Sequence, residues 1–331
     1  MKVSELGEFG LIDLLAKLIA DEQARQPPNP RLYIGIGDDA AAWRIPDEIQ
    51  LATVDSMVDG IHFQHGLGTW KEVGWKALAI NVSDIAAMAG VPDYALVSLN
   101  LPDDTLVADV KQLYGGMLEL TRQLGMTLIG GNVSRSPVLA ITVTVLGSGR
   151  EDILLRRSTA RVGDLVAVTG RPGYAAAGYE MLAEKLSFPK DATRRFRNAF
   201  LHPMPRLTEA QGLVKNGITT AIDLSDGLVA DLGHICQASR VGATLNVDKL
   251  PLGKDLTRHF GERAVDLILS GGESYELLFT GAPDAVAAAI EDANYPITVI
   301  GEIVEEHPGS VSLQDTAGNL YNLAQSGWRH F

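Results

Sequence analysis

Apolar residues follow two periods along this chain, and the switches between them mark its elements. Leu11, Leu14, Leu15, Leu18 and Ile19 recur at helical spacing with Asp13, Lys17 and Asp21 on other faces, which predicts an amphipathic helix over 8–24. Gln26-Pro27-Pro28-Asn29-Pro30 breaks it, and Leu32-Tyr33-Ile34-Gly35-Ile36 reads as a strand that ends in a turn at Asp38-Asp39. A second strand, Ile49 to Val54, delivers Asp55 at its end. Val73, Leu78, Val82, Ile85 and Met88 then predict a helix from Val73 to Gly90 that carries Asp84, with Pro92 closing it. Next come a strand from Tyr94 to Leu101, a helix from Leu106 to Leu124, a strand at Thr127 to Ile129 entering Gly130-Gly131-Asn132, and a strand from Leu139 to Leu146. The order is mixed and not a strict βαβ alternation.

A second unit begins near Gly147, which divides the chain into 1–147 and 148–331. The polar turn Arg157 to Asp164 precedes the strand Leu165 to Thr169, and Gly170 through Gly178 opens a helix. A charged stretch over 184–198 and the prolines Pro203 and Pro205 lead to a helix from Arg206 to Lys215 and then to Ala221-Ile222-Asp223. Beyond lie a helix from Leu228 to Ser239, a strand from Ala243 to Val247, the pair Gly271-Gly272, a strand from Tyr275 to Thr280, a helix over 283–292 and a strand over 297–304. Each half thus contains an acidic turn and a Gly-Gly turn, which is weak support for a duplication.

Composition narrows the function classes. The chain has 331 residues, 46% hydrophobic and 21% charged, enough for a sizeable core and two domains. With 28 Lys+Arg against 41 Asp+Glu the net charge is -13, which argues against a nucleic-acid surface. Cys236 is the single cysteine, so an intrachain disulfide and a Cys-based zinc site are excluded and a reducing compartment is expected. No basic leader opens the sequence and no apolar run approaches the roughly 20 residues that span a bilayer, so the expectation is a cytoplasmic protein without a membrane partner.

Chemistry concentrates in the acidic turns. Gly35-Ile36-Gly37-Asp38-Asp39-Ala40 and Asp223-Leu224-Ser225-Asp226-Gly227 crowd like charges beside glycines, and Asp55 and Asp84 end or follow apolar runs. Hard oxygen ligands gathered from distant segments are what Mg²⁺ on a polyphosphate requires. Other readings compete at each place. The first turn fits a G-x-G-x-x-A dinucleotide fingerprint, but its two aspartates would repel a pyrophosphate, and Arg44-Ile45-Pro46 leaves little room for the following helix. It also reads as a plain acidic surface turn. The second turn reads as a helix cap, which accounts for one acid and not two. Asp84 requires either a basic partner such as Lys76 or a metal. His62 lies in a strand-like stretch, where a structural role is the commoner one. No G-x-x-x-x-G-K-[ST] loop, protein-kinase signature or G-x-S-x-G occurs.

Five segments in order carry a resemblance: Ile36-Gly37-Asp38-Asp39-Ala40-Ala41, Val58-Asp59-Gly60-Ile61-His62-Phe63, the run Lys76 to Met88, Ile222-Asp223-Leu224-Ser225-Asp226-Gly227-Leu228 and Gly271-Gly272-Glu273-Ser274-Tyr275-Glu276-Leu277. Together they resemble the thiamine-monophosphate kinase family of the aminoimidazole-ribotide-synthetase-like superfamily, from Gly7-Glu8-Phe9 to Gly327-Trp328-Arg329-His330-Phe331. The resemblance implies an α+β (mixed α/β) two-domain fold. Its N-terminal domain would bind ATP and metal and contribute strands to a dimer-spanning barrel, and the active site would lie in the cleft against a C-terminal α/β domain. It further implies a homodimer that transfers the γ-phosphoryl group of ATP directly to thiamine monophosphate with several Mg²⁺ ions and no obligatory acid or base. By position, Asp39, Thr53, Asp55, Asp84, Asp223 and Asp226 resemble magnesium ligands, Gly131, Asn132, Arg157 and Ser225 resemble ATP contacts, and His62, Glu273 and Trp328 resemble residues that hold thiamine monophosphate.

Four positions depart from the family pattern. Val54 stands where a hydroxyl is common, and Asn132, Ser274 and Arg329 stand where acids are usual. A reduced metal count is therefore expected. The alternatives are a sibling ATP enzyme of the same fold that activates another substrate, and an acidic metal-binding scaffold.

Overall fold

The computed structural model describes residues 32–34, 38–45, 48–64, 66–324 and 326–328. The helix predicted over 8–24, the Gly35-Ile36-Gly37 turn and Arg329 lie outside the described residues. The first half runs β1 (Leu32–Ile34), β2 (Ala41–Ile45), β3 (Glu48–Val58), α1 (Trp70–Ala87), β4 (Val91–Leu101), α2 (Val107–Leu124), β5 (Thr127–Arg135) and β6 (Ala140–Gly149). Its strands form one sheet in the order β1-β2-β3-β6-β4-β5, antiparallel except for the β4–β5 pair.

Strict alternation gives this sheet two unlike faces. Ile141, Val143 and Val145 of β6 are buried on the helix side, while Thr142 and Thr144 turn the other way. Register carries the outer face across the sheet: Val54, Thr144, Leu96 and Gly130 form one row, and Ser56, Thr142, Ser98 and Asn132 the next. Thr53 and Asp55, one residue out of phase, share the helix side.

Helix α1 is buried nearly all round because it lies between this sheet and the second half. It touches β3, β6 and α2 on one side, and β8 (Thr220–Asp223) and α5 (Leu207–Lys215) on the other. Burying Leu78, Val82 and Ile85 completely contributes about 1.5–3 kcal/mol each. Glycine permits the close approach to α2, since a Cβ on Gly74 would lie 1.8 Å from the Leu113 carbonyl oxygen. Thr69 caps the helix in a capping box with Glu72. Burial opposes ionisation of Glu72, but hydrogen bonds from Arg197 and Thr69 outweigh it and hold the carboxyl at about 2.

The second half runs β7 (Leu165–Thr169), α3 (Tyr174–Ala183), α4 (Lys190–Leu201), α5, β8, α6 (Leu228–Ser239), β9 (Gly242–Asn246), α7 (Lys254–Phe260), α8 (Arg263–Leu269), β10 (Leu277–Gly281), α9 (Pro283–Asp292), β11 (Ile297–Val304) and β12 (Val311–Gln314). Its sheet has the order β12-β9-β11-β7-β10-β8, with β12–β9 the parallel pair. Among the described residues no helix is long and apolar enough to cross a membrane.

Several elements differ from expectation. Strand β5 runs through Gly130-Gly131 to Arg135 instead of stopping at them, with a bulge opposite Ala95 and Leu96. The charged stretch over 184–198 runs into α4, whose apolar stripe of Ala192, Phe196 and Phe200 is masked by arginines. Tyr275 precedes β10 because its φ of 49° cannot join a ladder. His62 sits in a turn after β3, where its Nδ1 accepts the Val58 N–H at 3.1 Å, and not in a strand. Strands β2 and β12 and helices α7 and α8 were not foreseen; all are short.

Candidate active site between the two sheets

Three elements deliver three carboxylates to one point. Asp39 lies just before β2, Asp84 lies near the C-terminal end of α1, and Asp223 ends β8; one oxygen from each lies within 4.8 Å of the others. Thr53 on β3 donates its hydroxyl to Asp84 at 2.6 Å, and Ser83 donates to Asp223 at 2.6 Å. The N–H of Asp55 donates to Asn81 Oδ1 at 2.8 Å, which fixes β3 against α1 beside the cluster. Lys76 is not the partner of Asp84: its ammonium lies 2.6 Å from Glu273 instead, so the basic-partner reading of Asp84 fails.

Electrostatics mark this point as short of positive charge. Burial first, then Asp223, Asp55 and Asp39, push Asp84 well above the usual carboxylate range against the Thr53 hydroxyl. Burial and Asp39 push Asp223 up to about 8, and burial with Asp39 pushes Asp38 to about 7. Arg157 answers part of this charge through Nε and Nη2, which hold Asp39 bidentately at 2.9 and 2.8 Å. Burial works against that cation, yet Asp39 and Asp38 hold its proton more firmly than usual. The donor set is all oxygen, the carboxylates converge, and protonation otherwise has to relieve their repulsion. These residues fit a hard divalent cation such as Mg²⁺.

A second group adjoins the first. Asp226, Asp231 and His234 bring ligand-type atoms within 4.8 Å of one another. Here one carboxylate is already committed, since Asp231 Oδ2 accepts the N–H groups of Ser225, Asp226 and Gly227 at 3.1, 3.2 and 3.1 Å. Gly227 is the N-cap of α6, so neither Ser225 nor Asp226 caps the helix. Asp231 therefore shapes the turn, and sequence reading missed it because it lies inside a helix. Ser83, Asn81 and His234 were given no role either, whereas Asp38 stands in the acidic turn that the sequence marks for a cation. Burial and then Arg157 lower His234 to about 4.

Glu273 and Trp328 border this turn. The Glu273 N–H donates to the Ser225 carbonyl at 2.7 Å, and the Trp328 N–H donates to the Asp226 carbonyl at 3.0 Å. The structure thus joins Asp39, Thr53, Asp55, Asp84, Arg157, Asp223, Ser225, Asp226, Glu273 and Trp328 around one cleft. Gly131 and Asn132 stand apart on β5, three strand spacings or about 14 Å from β3 along the sheet. Asn132 and Val54 both lie on the outer face, away from the carboxylates. A Cβ on Gly131 would meet the Val97 carbonyl oxygen at 1.8 Å, so this glycine is required by strand packing.

A cleft of acidic and glycine-rich turns between two mixed sheets defines a class. The families described as AIR synthase related protein, N-terminal domain and C-terminal domain, match residues 37–149 and 161–314. Thiamine-monophosphate kinase of Escherichia coli (strain K12) is 38% identical over 306 residues, covering 90% of this chain and 92% of its own length. The same-named protein of Aquifex aeolicus (strain VF5) is 32% identical over 334 residues and 100% of both chains. The solved structure of AaThiL complexed with AMPPCP and TMP superposes with a TM-score of 0.85 at 33% identity, covering 100% of this chain and 99% of that one. The chain belongs to the thiamine-monophosphate kinase family.

Proposed function

We propose that this chain is a thiamine-monophosphate kinase that transfers the γ-phosphoryl group of ATP to the phosphate of thiamine monophosphate, giving thiamine diphosphate and ADP. The observation that carries the reading is the meeting of Asp39, Asp84 and Asp223 beside Arg157 in the cleft of a family member. Mg²⁺ held by Asp39, Asp84 and Asp223, with Thr53, Asp55 and Asp226 around it, would neutralise the facing phosphates and polarise the one that transfers.

The chain's own residues supply the rest. Thr53 and Ser83 fix the rotamers of Asp84 and Asp223, so the carboxylates are placed before substrate arrives. Arg157 orients Asp39 through two nitrogens and leaves Nη1 to meet an ATP phosphate oxygen. Ser225 would approach the nucleotide, while His62, Glu273 and Trp328 would hold the acceptor. The attacking group is an ionised phosphate oxygen, so alignment does the work and no side-chain base is needed.

We also propose the division into domains 1–147 and 148–331, and a cytoplasmic homodimer. Exposed Val54, Tyr94 and Leu96 on the outer sheet face support the dimer, because such a patch favours burial by a second copy. Asn132 would face that partner rather than the carboxylates of its own chain. A dimeric mass by light scattering is the expected result, and a monomer at micromolar protein would refute it. The activity is tested by incubating the purified chain with ATP, Mg²⁺ and thiamine monophosphate and separating thiamine from its mono- and diphosphates. Thiamine diphosphate should appear with ADP and should fail to appear with Asp55→Asn.

A further inference from the structure

We infer that Lys76 is a positioning residue that makes the enzyme selective for the amino group of its acceptor: reaching across the cleft from α1, its ammonium holds one carboxylate oxygen of Glu273 and turns the other toward the substrate. The inference rests on the proposed function, in which Glu273 helps hold thiamine monophosphate, and gives that contact its chemistry.

Lys76 is 2% exposed, and lysine is almost never buried to that extent without a partner. Its ammonium stands 3.7 Å above the Phe200 ring of α4 and 2.6 Å from Glu273 Oε1, so both contacts come from the second half of the chain. Burial pulls the lysine toward neutrality, and Glu273 opposes this. Stability alone does not call for the arrangement, since well-packed apolar residues usually serve a buried pair's place as well or better.

Glu273 is held at comparable cost. Its φ of 61°, followed by 49° at Tyr275, places two non-glycine residues in the strained left-handed region. The Glu273 N–H on Ser225 and the Tyr275 N–H on the Leu224 carbonyl at 2.8 Å lock that conformation. The Glu273 side chain remains 32% exposed, so the ion pair does not enclose it fully. Lys76 also lines a narrow apolar pocket with Met57, Phe63, Leu67 and Phe200, two residues along β3 from Asp55. A carboxylate that meets the acceptor accepts hydrogen bonds, and the N–H donor that thiamine monophosphate offers is its exocyclic pyrimidine amine.

Steady-state kinetics on wild type, Lys76→Met, Glu273→Gln and the double variant would test this, with ATP, thiamine monophosphate and the analogue whose amine is replaced by oxygen. Lys76→Met should raise KM for thiamine monophosphate about tenfold, leave KM for ATP within about twofold, and shrink the preference for the amine over the oxygen analogue about tenfold. The double variant should be no worse than Glu273→Gln alone, because the lysine acts through the glutamate. An unchanged preference, or equal losses toward both substrates, would overturn the inference. Should Lys76→Met not fold, Lys76→Gln is measured in the same way; if neither folds, the lysine is structural and the inference is wrong. A wild-type chain that makes no thiamine diphosphate refutes the proposed function itself, and the inference falls with it.

Discussion

Asp39, Asp84 and Asp223 meet from three separate elements, whereas Asp226, Asp231 and His234 belong to one turn and the helix that follows it. Among the described residues, Asp84 and Asp223 accept one hydroxyl each, and Asp39 accepts two N–H groups from Arg157, the one cation paired within the group. In the second, Asp231 gathers three backbone N–H groups and serves the fold. Clusters of similar composition therefore differ in purpose, and the count of donors per carboxylate separates a site awaiting a cation from a built loop.

The sharpest way to break that contrast is Asp84→Asn. It should cost about 10³-fold in turnover, or about 4 kcal/mol, while the metal-free chain keeps or gains thermal stability as repulsion is relieved. Product analysis and thermal unfolding of the same sample decide it, and lost turnover together with a lower midpoint would make the cluster structural. The reverse is expected of Asp231→Ala, which strands three N–H groups and should destabilise the chain by about 2–3 kcal/mol in urea unfolding. An unchanged midpoint would mean that the turn holds itself.

Titration sharpens the same contrast. Asp38 at about 7 and Asp223 at about 8 bind protons that unfolded carboxylates near 3.8 have released. The folded state therefore holds more protons in this window, and its stability falls as pH rises from about 4 through about 8. Unfolding midpoints in EDTA should decline over that window, while Mg²⁺ with a non-hydrolysable ATP analogue flattens the slope. A flat profile in EDTA would show that the chain neutralises these groups unaided. Thr69→Ala gives the smallest effect: loss of the α1 cap should cost about 1 kcal/mol in urea unfolding without altering Mg²⁺ dependence.

Much of this site was legible before any coordinates. Asp39, Asp84 and Asp223 stand out in sequence because an acid beside glycine or inside an apolar helix carries a cost that some partner has to meet. Their mutual distance was not legible. Lys76 precedes Asp84 by eight residues, which spans about 12 Å of helix, and its partner arrives from a loop near the other end of the chain. Likewise Asn132 and Val54 looked like changes at the metal site, yet strand register turns both toward the outer face. Helix α1 was readable from its apolar density, while α4 was hidden by arginines whose ion pairs exist only in the folded chain.

The sequence by itself determined the periodicities, the turns and the excess of acid, because these depend on neighbours a few residues apart. It also carried the ordered motifs that tie the chain to its family. Only the tertiary structure decided which acids share one cation's reach, that Asp231 is committed to backbone and that Lys76 serves Glu273. Charges interact through space at distances of a few ångströms, and the backbone path between them sets no such distance until two sheets close on α1.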